Sequence, residues 1–178
     1  LPARQMIARL FGRIADKQPN RLIVDVGGVG YDVQVPLSTY YVTPEVGAEM
    51  PLRIHTHVRE DQLALYGFAT ELELTMFEKL IAVSGIGPKL ALSVLSGIEP
   101  RELAGAIQRN DVARLTAIPG VGKKTAERMC VELRDRLPKA IEATPASPAD
   151  SMREDLGSAL ANLGYHRQAI DKVLDKLL

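Results

Sequence analysis

The 178-residue sequence predicts an α+β chain of several domains: an N-terminal five-stranded barrel, a central all-α domain built on two matched interhelical hairpins, and a small helical C-terminal domain. Three observations predict it. Apolar residues alternate with period two up to residue 68 and follow helical spacing after Thr70. A Gly-apolar-Gly motif occurs twice, at an offset of 35 residues (83 to 118). A stretch rich in Pro, Ala and Ser then separates these parts from two short amphipathic segments.

Residues 6–68 read as β. Tyr31, Val33 and Val35 alternate with Asp32, Gln34 and Pro36, and Leu52, Ile54, Thr56 and Val58 alternate with Arg53, His55, His57 and Arg59. Both are patterns of half-buried strands. Apolar runs at 6–14, 22–26 and 63–68 predict three more. Gly27-Gly28-Val29-Gly30 reads as a tight turn between two strands. Five short strands in this length suit a small barrel, and the OB-fold is the commonest five-stranded one.

At Thr70 the period changes. Thr70-Glu71-Leu72-Glu73 fits a capping box, and Leu72, Met76, Leu80 and Val83 follow with helical spacing. Helices are predicted at 71–82, 88–95, 100–108, 111–116 and 123–136, so the central domain spans 69–137. Residues 138–150, with Pro138, Pro145 and Pro148, have linker composition. Ser151-Met152-Arg153-Glu154 is a second capping box; it opens a helix with Leu156, Leu160 and Leu163 inward that ends at Gly164. A last helix at 167–177 carries Ile170, Val173, Leu174 and Leu177, completing a domain at 151–178. Met6 reads as the natural start, with residues 1–5 an extension.

Lys+Arg and Asp+Glu are each 22, so the net charge is zero. Nucleic-acid binders are usually basic. Any DNA site must therefore be a local patch assembled by folding or by oligomerisation. The single cysteine, Cys130, excludes an intrachain disulfide. No apolar run approaches the roughly 18 residues of a membrane span. A cytoplasmic protein is the default expectation.

The repeat carries the chemistry. Residues 83–91 read Val-Ser-Gly-Ile-Gly-Pro-Lys-Leu-Ala, and residues 118–126 read Ile-Pro-Gly-Val-Gly-Lys-Lys-Thr-Ala. Gly85 and Gly87, or Gly120 and Gly122, permit a tight turn and positive φ. Ile86 or Val121 between them can anchor the turn. The helix that follows presents free amides and a positive dipole end, which together make an anion site. Lys89 and Lys124 stand at equivalent positions and add charge, as does Lys123. Such contacts read phosphates, not bases. A pair of ordinary Gly-rich helix caps is the bland alternative, and two copies with Lys in register argue against it. Gly120-Val121-Gly122-Lys123-Lys124-Thr125 is not a P-loop: position 117 is Ala, position 124 is Lys, and the segment follows a helix.

Other candidates are bland. His55 and His57 share one strand face without a nearby Cys or third His, so they read as surface positions, not metal ligands. Cys130 reads as a small core residue. Ser84, Ser93 and Ser96 have no base–orienter set, and no acidic cluster fits a two-metal nuclease.

Further segments resemble the RuvA family, the Holliday-junction-binding subunits of the bacterial RuvABC branch-migration complex. The resemblance covers Met6 to about Leu137. It is carried by Met6-Ile7-Ala8-Arg9-Leu10, Val26-Gly27-Gly28-Val29-Gly30-Tyr31, Val58-Arg59-Glu60-Asp61, Leu65-Tyr66-Gly67-Phe68, Gly85-Ile86-Gly87-Pro88-Lys89-Leu90-Ala91-Leu92 and Gly122-Lys123-Lys124-Thr125-Ala126-Glu127-Arg128. The resemblance implies an OB barrel, a domain with two helix–hairpin–helix motifs, a flexible linker and a small helical domain that docks the RuvB motor. It implies homotetramers, two of which can sandwich a four-way junction as an octamer, with the RuvC resolvase joining the complex and no cofactor. It implies that Glu60 and Asp61 form an acidic pin at the tetramer centre. The motor-binding residues it implies are Leu156, Leu160, Leu163, Tyr165, Ile170, Val173 and Leu174, which resemble the first two helices of a domain that has three in the family.

The proposed DNA surface is Gly85, Ile86, Gly87, Lys89, Gly120, Val121, Gly122, Lys123, Lys124 and Arg128. The reading is a non-catalytic, sequence-independent junction scaffold. Two rivals are a junction nuclease or helicase, which needs a metal–carboxylate centre or a complete P-loop, and a general duplex adapter without junction preference.

Overall fold

The computed structural model describes residues 6–60 and 63–137. The chain divides into two units, Leu1–Pro138 and Lys139–Leu178, and every described residue lies in the first. The expected linker, the C-terminal domain with its capping box and residues 1–5 fall outside the described residues.

Five strands form a closed barrel in the order β1-β2-β3-β5-β4, with β1 (Arg9–Gln18), β2 (Arg21–Val26), β3 (Val29–Gln34), β4 (Glu49–Val58) and β5 (Leu63–Phe68). All neighbours are antiparallel except β3 and β5, whose parallel pairing (Val33 opposite Leu65) closes the barrel. Closure leaves no free sheet edge. The long first strand reaches both β2 and β4, with its register broken between Ile14 and Asp16. It runs four residues beyond the apolar segment at 6–14, because Lys17 and Gln18 still pair with Leu22 and Arg21. The turn between β2 and β3 is Gly27-Gly28 alone; Val29 and Gly30 already pair with Val26 and Asp25.

Inward residues obey the predicted alternation. Leu10, Ile14, Leu22, Val24, Val33, Leu52, Ile54 and Leu65 form the barrel core. Gly67 faces the same core, where a Cβ would lie 2.5 Å from Val33 Cγ1. A larger residue there would overpack the interior.

Strand β5 is buried on both faces after Leu63. The helix α2 (Glu71–Ile81) lies across the outer face of β4 and β5. Phe77 stacks on Phe68 at 4.9 Å and on Tyr66 at 5.1 Å. This cover corrects the surface reading of His55, whereas His57 stays half-exposed. The His55 ring lies against Phe77, and its Nδ1 is 3.2 Å from Glu78 Oε1. His57 lies edge-on to Tyr66 and accepts from Arg59 Nε at 3.1 Å. Burial lowers the His57 pKa, and the charges of Arg59 and His55 lower it further.

One helix was absent from the sequence reading: α1 (Leu37–Val42), between β3 and β4. It has no charged residue in its first or last turn and no side-chain cap. Tertiary contacts hold it instead. Leu37 N donates to Ser96 Oγ at 3.0 Å, and Ser38 and Thr39 hydroxyls donate to the buried carboxylate of Glu73 at 2.5 and 3.2 Å. The predicted capping box at Thr70 is present, with Glu73 N donating to Thr70 Oγ1 and Thr70 N to Glu73 Oε2. Glu73 therefore caps α2 and binds α1 with one carboxylate.

Four further helices complete the described part: α3 (Pro88–Gly97), α4 (Pro100–Gln108), α5 (Val112–Thr116) and α6 (Lys123–Leu133). They match the predicted segments to within a residue at each end, except that α3 runs to Gly97 rather than 95 and α6 ends at Leu133 rather than 136. Glu73→Ala should lower the unfolding free energy by about 2–4 kcal/mol, because several buried donors lose their acceptor. Thr70→Ala, which removes the cap hydroxyl, should cost only about 1 kcal/mol. Denaturant midpoints at unchanged slope check this, and equal losses would show that the bonds to α1 contribute nothing.

Candidate nucleic-acid interface

The helical segment is a structural repeat with the offset of its motif. One unit is α2–turn–α3 and the other α5–turn–α6, joined by α4. Leu80, Val83, Ile86, Ala91, Val94, Leu95 and Ile98 are buried, and so are Leu115, Ile118, Val121, Ala126, Met129, Cys130 and Leu133, each 35 positions later. Ile86 and Val121 are thus the buried anchors expected of them. Cys130 is the counterpart of Leu95, and burial raises its thiol pKa, with Asp111 adding to the shift. It is a core residue, as read from the sequence.

The turns repeat bond for bond. Ile86 N donates to Val83 O at 3.1 Å, and Val121 N donates to Ile118 O at 3.0 Å. Ala91 N donates to Gly87 O at 3.0 Å, and Ala126 N donates to Gly122 O at 2.9 Å. Gly85 and Gly120 have φ of 88° and 86°, a conformation that side chains resist. Gly87 and Gly122 correct the expectation of positive φ at both glycines of each motif. Their φ values are −89° and −83°, extended and open to any residue. They are the N-caps of α3 and α6, and neither cap makes a side-chain hydrogen bond.

A Cβ placed on Gly87 or Gly122 would meet nothing within 4 Å. Nothing inside the described fold therefore demands glycine at either position. Both are exposed, with Lys89, Lys123, Lys124 and Arg128 exposed around them. The first-turn amides of α3 and α6 have no helical partner. The two N-termini differ: Lys123 supplies an amide and a cation where the first unit has Pro88.

Structure adds cross-links that the motif did not announce. Ser93 Oγ on α3 donates to Pro119 O at 3.0 Å, and Arg128 Nη1 on α6 donates to Ser84 O at 3.2 Å. Glu60 is exposed at the end of β4, and its neighbour Asp61 lies outside the described residues. So do Leu156, Leu160, Leu163, Tyr165, Ile170, Val173 and Leu174. Among the described residues no group of three His, Cys, Asp or Glu could hold a metal, and no helix is long and apolar enough to cross a membrane.

A closed five-stranded barrel bearing two equivalent helix–hairpin–helix units defines an OB-barrel protein of the tandem helix–hairpin–helix class. Family comparison agrees in both halves: the RuvA N terminal domain matches residues 6–67, and the SAM-like helix-hairpin-helix tandem matches residues 77–135. Similar full-length relatives include proteins of Geobacter metallireducens (49% identical over 97% of this chain and 89% of the relative), Solibacter usitatus (51%, 96% and 89%) and Trichlorobacter lovleyi (52%, 97% and 90%). Each is a Holliday junction branch migration complex subunit RuvA. The chain belongs to the RuvA family.

Gly85→Ala and Gly120→Ala should each destabilise the fold by about 1–2 kcal/mol through backbone strain. Gly87→Ala and Gly122→Ala should stay within about 0.5 kcal/mol of the parent. Thermal unfolding of the four variants checks the split, and comparable losses at all four would refute the geometric distinction.

Proposed function

We propose that this chain binds four-way (Holliday) junction DNA without reading its sequence, holds it open as a symmetric scaffold, and serves branch migration in recombination and repair. The observation that carries the reading is the pair of bare helix N-caps. Glycine at 87 and 122 is explained by a partner that approaches the backbone more closely than a Cβ allows. A phosphate fits that role: it accepts hydrogen bonds from first-turn amides and is favoured by the dipole end. Lys89, Lys123 and Lys124 supply the neighbouring charge, with Arg128 beside the first turn. Gly85 and Gly120 shape the turns, and Ile86 and Val121 seat them.

Zero net charge fits this scheme. Cations gather at the hairpins, and a four-fold assembly brings four copies of each hairpin to the four duplex arms. Near the crossover, Glu60 and Asp61 act as a pin that repels phosphates while strands exchange. The chain performs no chemistry of its own. Residues 151–178 recruit the RuvB motor through their apolar residues, among them Leu160 and Leu174, the RuvC resolvase joins the assembly, and the work is done in the cytoplasm.

The test is a gel-shift competition between labelled four-way junction and excess linear duplex, without ATP, across a salt series. Strong junction preference is expected. Equal affinity would reduce the protein to a duplex adapter. In the same series Lys124→Ala should flatten the log–log salt slope by about 0.9 per lost phosphate contact. The Gly87→Ala, Gly122→Ala double variant should lose binding while keeping its melting temperature. Neutralising the pin as Glu60→Gln with Asp61→Asn should leave junction binding intact or tighter and change the rate of strand exchange. Much weaker binding by an intact tetramer would contradict a repulsive pin.

A further inference from the structure

Ser93 and Arg128 are chemically unrelated, yet they occupy equivalent places, 35 residues apart. Each reaches across to the other unit. Ser93 Oγ donates to Pro119 O, and Arg128 Nη1 donates to Ser84 O. Residues 84 and 119 are themselves equivalent, and each directly precedes the positive-φ glycine of its turn. What repeats is therefore the bond rather than the side chain. Each hairpin's entering carbonyl is held by the helix that leaves the other hairpin.

The differences between the units follow the same geometry. Ser84 has an N–H, and Glu132, one turn beyond Arg128, accepts from it at 3.4 Å. Pro119 has no N–H to satisfy. The position equivalent to Glu132 is Gly97, where a Cβ would lie 3.3 Å from Ile118 Cγ2. A carboxylate there would have neither a donor nor room. The glycines are gripped as well: a Cβ on Gly85 would meet Arg128 Nη1 at 3.4 Å, and one on Gly120 would meet Leu90 Cδ1 at 3.1 Å.

We propose that Ser93 and Arg128 are matched positioning residues: they fix the peptides entering the two turns, and so the spacing between the two phosphate sites. Arg128 on this reading acts through Ser84 rather than by touching DNA. The inference rests on the hairpins being phosphate sites. Two turns held at fixed spacing engage one duplex together, whereas loosened turns must be ordered on binding at an entropic cost.

The experiment titrates the intact protein into fluorescently labelled four-way junction at several salt concentrations, comparing Ser93→Ala, Ser93→Thr, Arg128→Met and Lys124→Ala. Ser93→Ala changes no charge. It should weaken binding about three- to tenfold, with the salt slope unchanged and the melting temperature lowered by at most about 5 °C. Ser93→Thr, which keeps the hydroxyl, should restore affinity. Arg128→Met should weaken binding likewise at unchanged slope. A flattened slope for Arg128→Met would make Arg128 a phosphate ligand and overturn its positioning role. Full affinity of Ser93→Ala would overturn the paired latch. Lys124→Ala separates the two levels: an unchanged slope there counts against the phosphate interface itself, whatever the Ser93 variants do.

Discussion

Burying a carboxylate is costly unless its oxygens are supplied with donors, and Glu73 meets that condition with four: Ser38 Oγ, Thr39 Oγ1, Thr70 N and Thr70 Oγ1. The donors come from two places far apart in sequence, the connector helix after β3 and the junction between β5 and α2. Thr39 also accepts from Ala69 N, so the last barrel residues are tied into the same group. One side chain thereby fixes how the barrel carries α2. Because α2 is the first helix of the first hairpin unit, its angle on the barrel sets where both hairpins stand. The Phe77 stack on Tyr66 and Phe68 adds apolar area, but area alone would allow sliding; the directional bonds of Glu73 remove that freedom.

From that seat outward the architecture is a duplication with purposeful departures. Seven buried positions of the first unit have buried counterparts in the second, which is why a leucine and a cysteine can fill the same role at 95 and 130. The exposed positions diverge. Pro88 pre-sets the backbone of the first turn and gives up an amide, while Lys123 keeps the amide and adds a cation.

Much of this was legible in the sequence because it is local. Alternation gave the barrel strands, Thr70 and Glu73 gave the helix start, and the two Gly-apolar-Gly motifs gave both turns and both anchors. Two of the misses are non-local. The helix at 37–42 has no apolar period or polar cap of its own and exists through bonds to Ser96 and Glu73, residues that follow it by many positions. His55 alternated outward on its strand, as read, but outward on this barrel is the face that α2 covers. Gly87 and Gly122 were expected to permit positive φ, but only their neighbours at 85 and 120 adopt it. Composition says that a residue is glycine, and only the backbone angles say which of two reasons applies.

That distinction decides how the interface is understood. A glycine can be required by the conformation of its own backbone or by the proximity of something else. Gly85 and Gly120 belong to the first kind: their angles already account for them, so they say nothing about a ligand. Gly87 and Gly122 have ordinary angles and open space around them, so the protein's own packing leaves them unexplained. They sit at the ends of two helices whose first-turn amides point outward, beside lysines, at matched positions of a duplicated unit. A partner that recognises backbone amides cannot distinguish bases, because phosphates are alike along every duplex. On the proposed reading, indifference to sequence follows from bare N-caps as the gripping element. On the same reading, selectivity comes from where the hairpins are held relative to one another, and the bonds of Glu73 and of the cross-linked turns then serve recognition as well as stability.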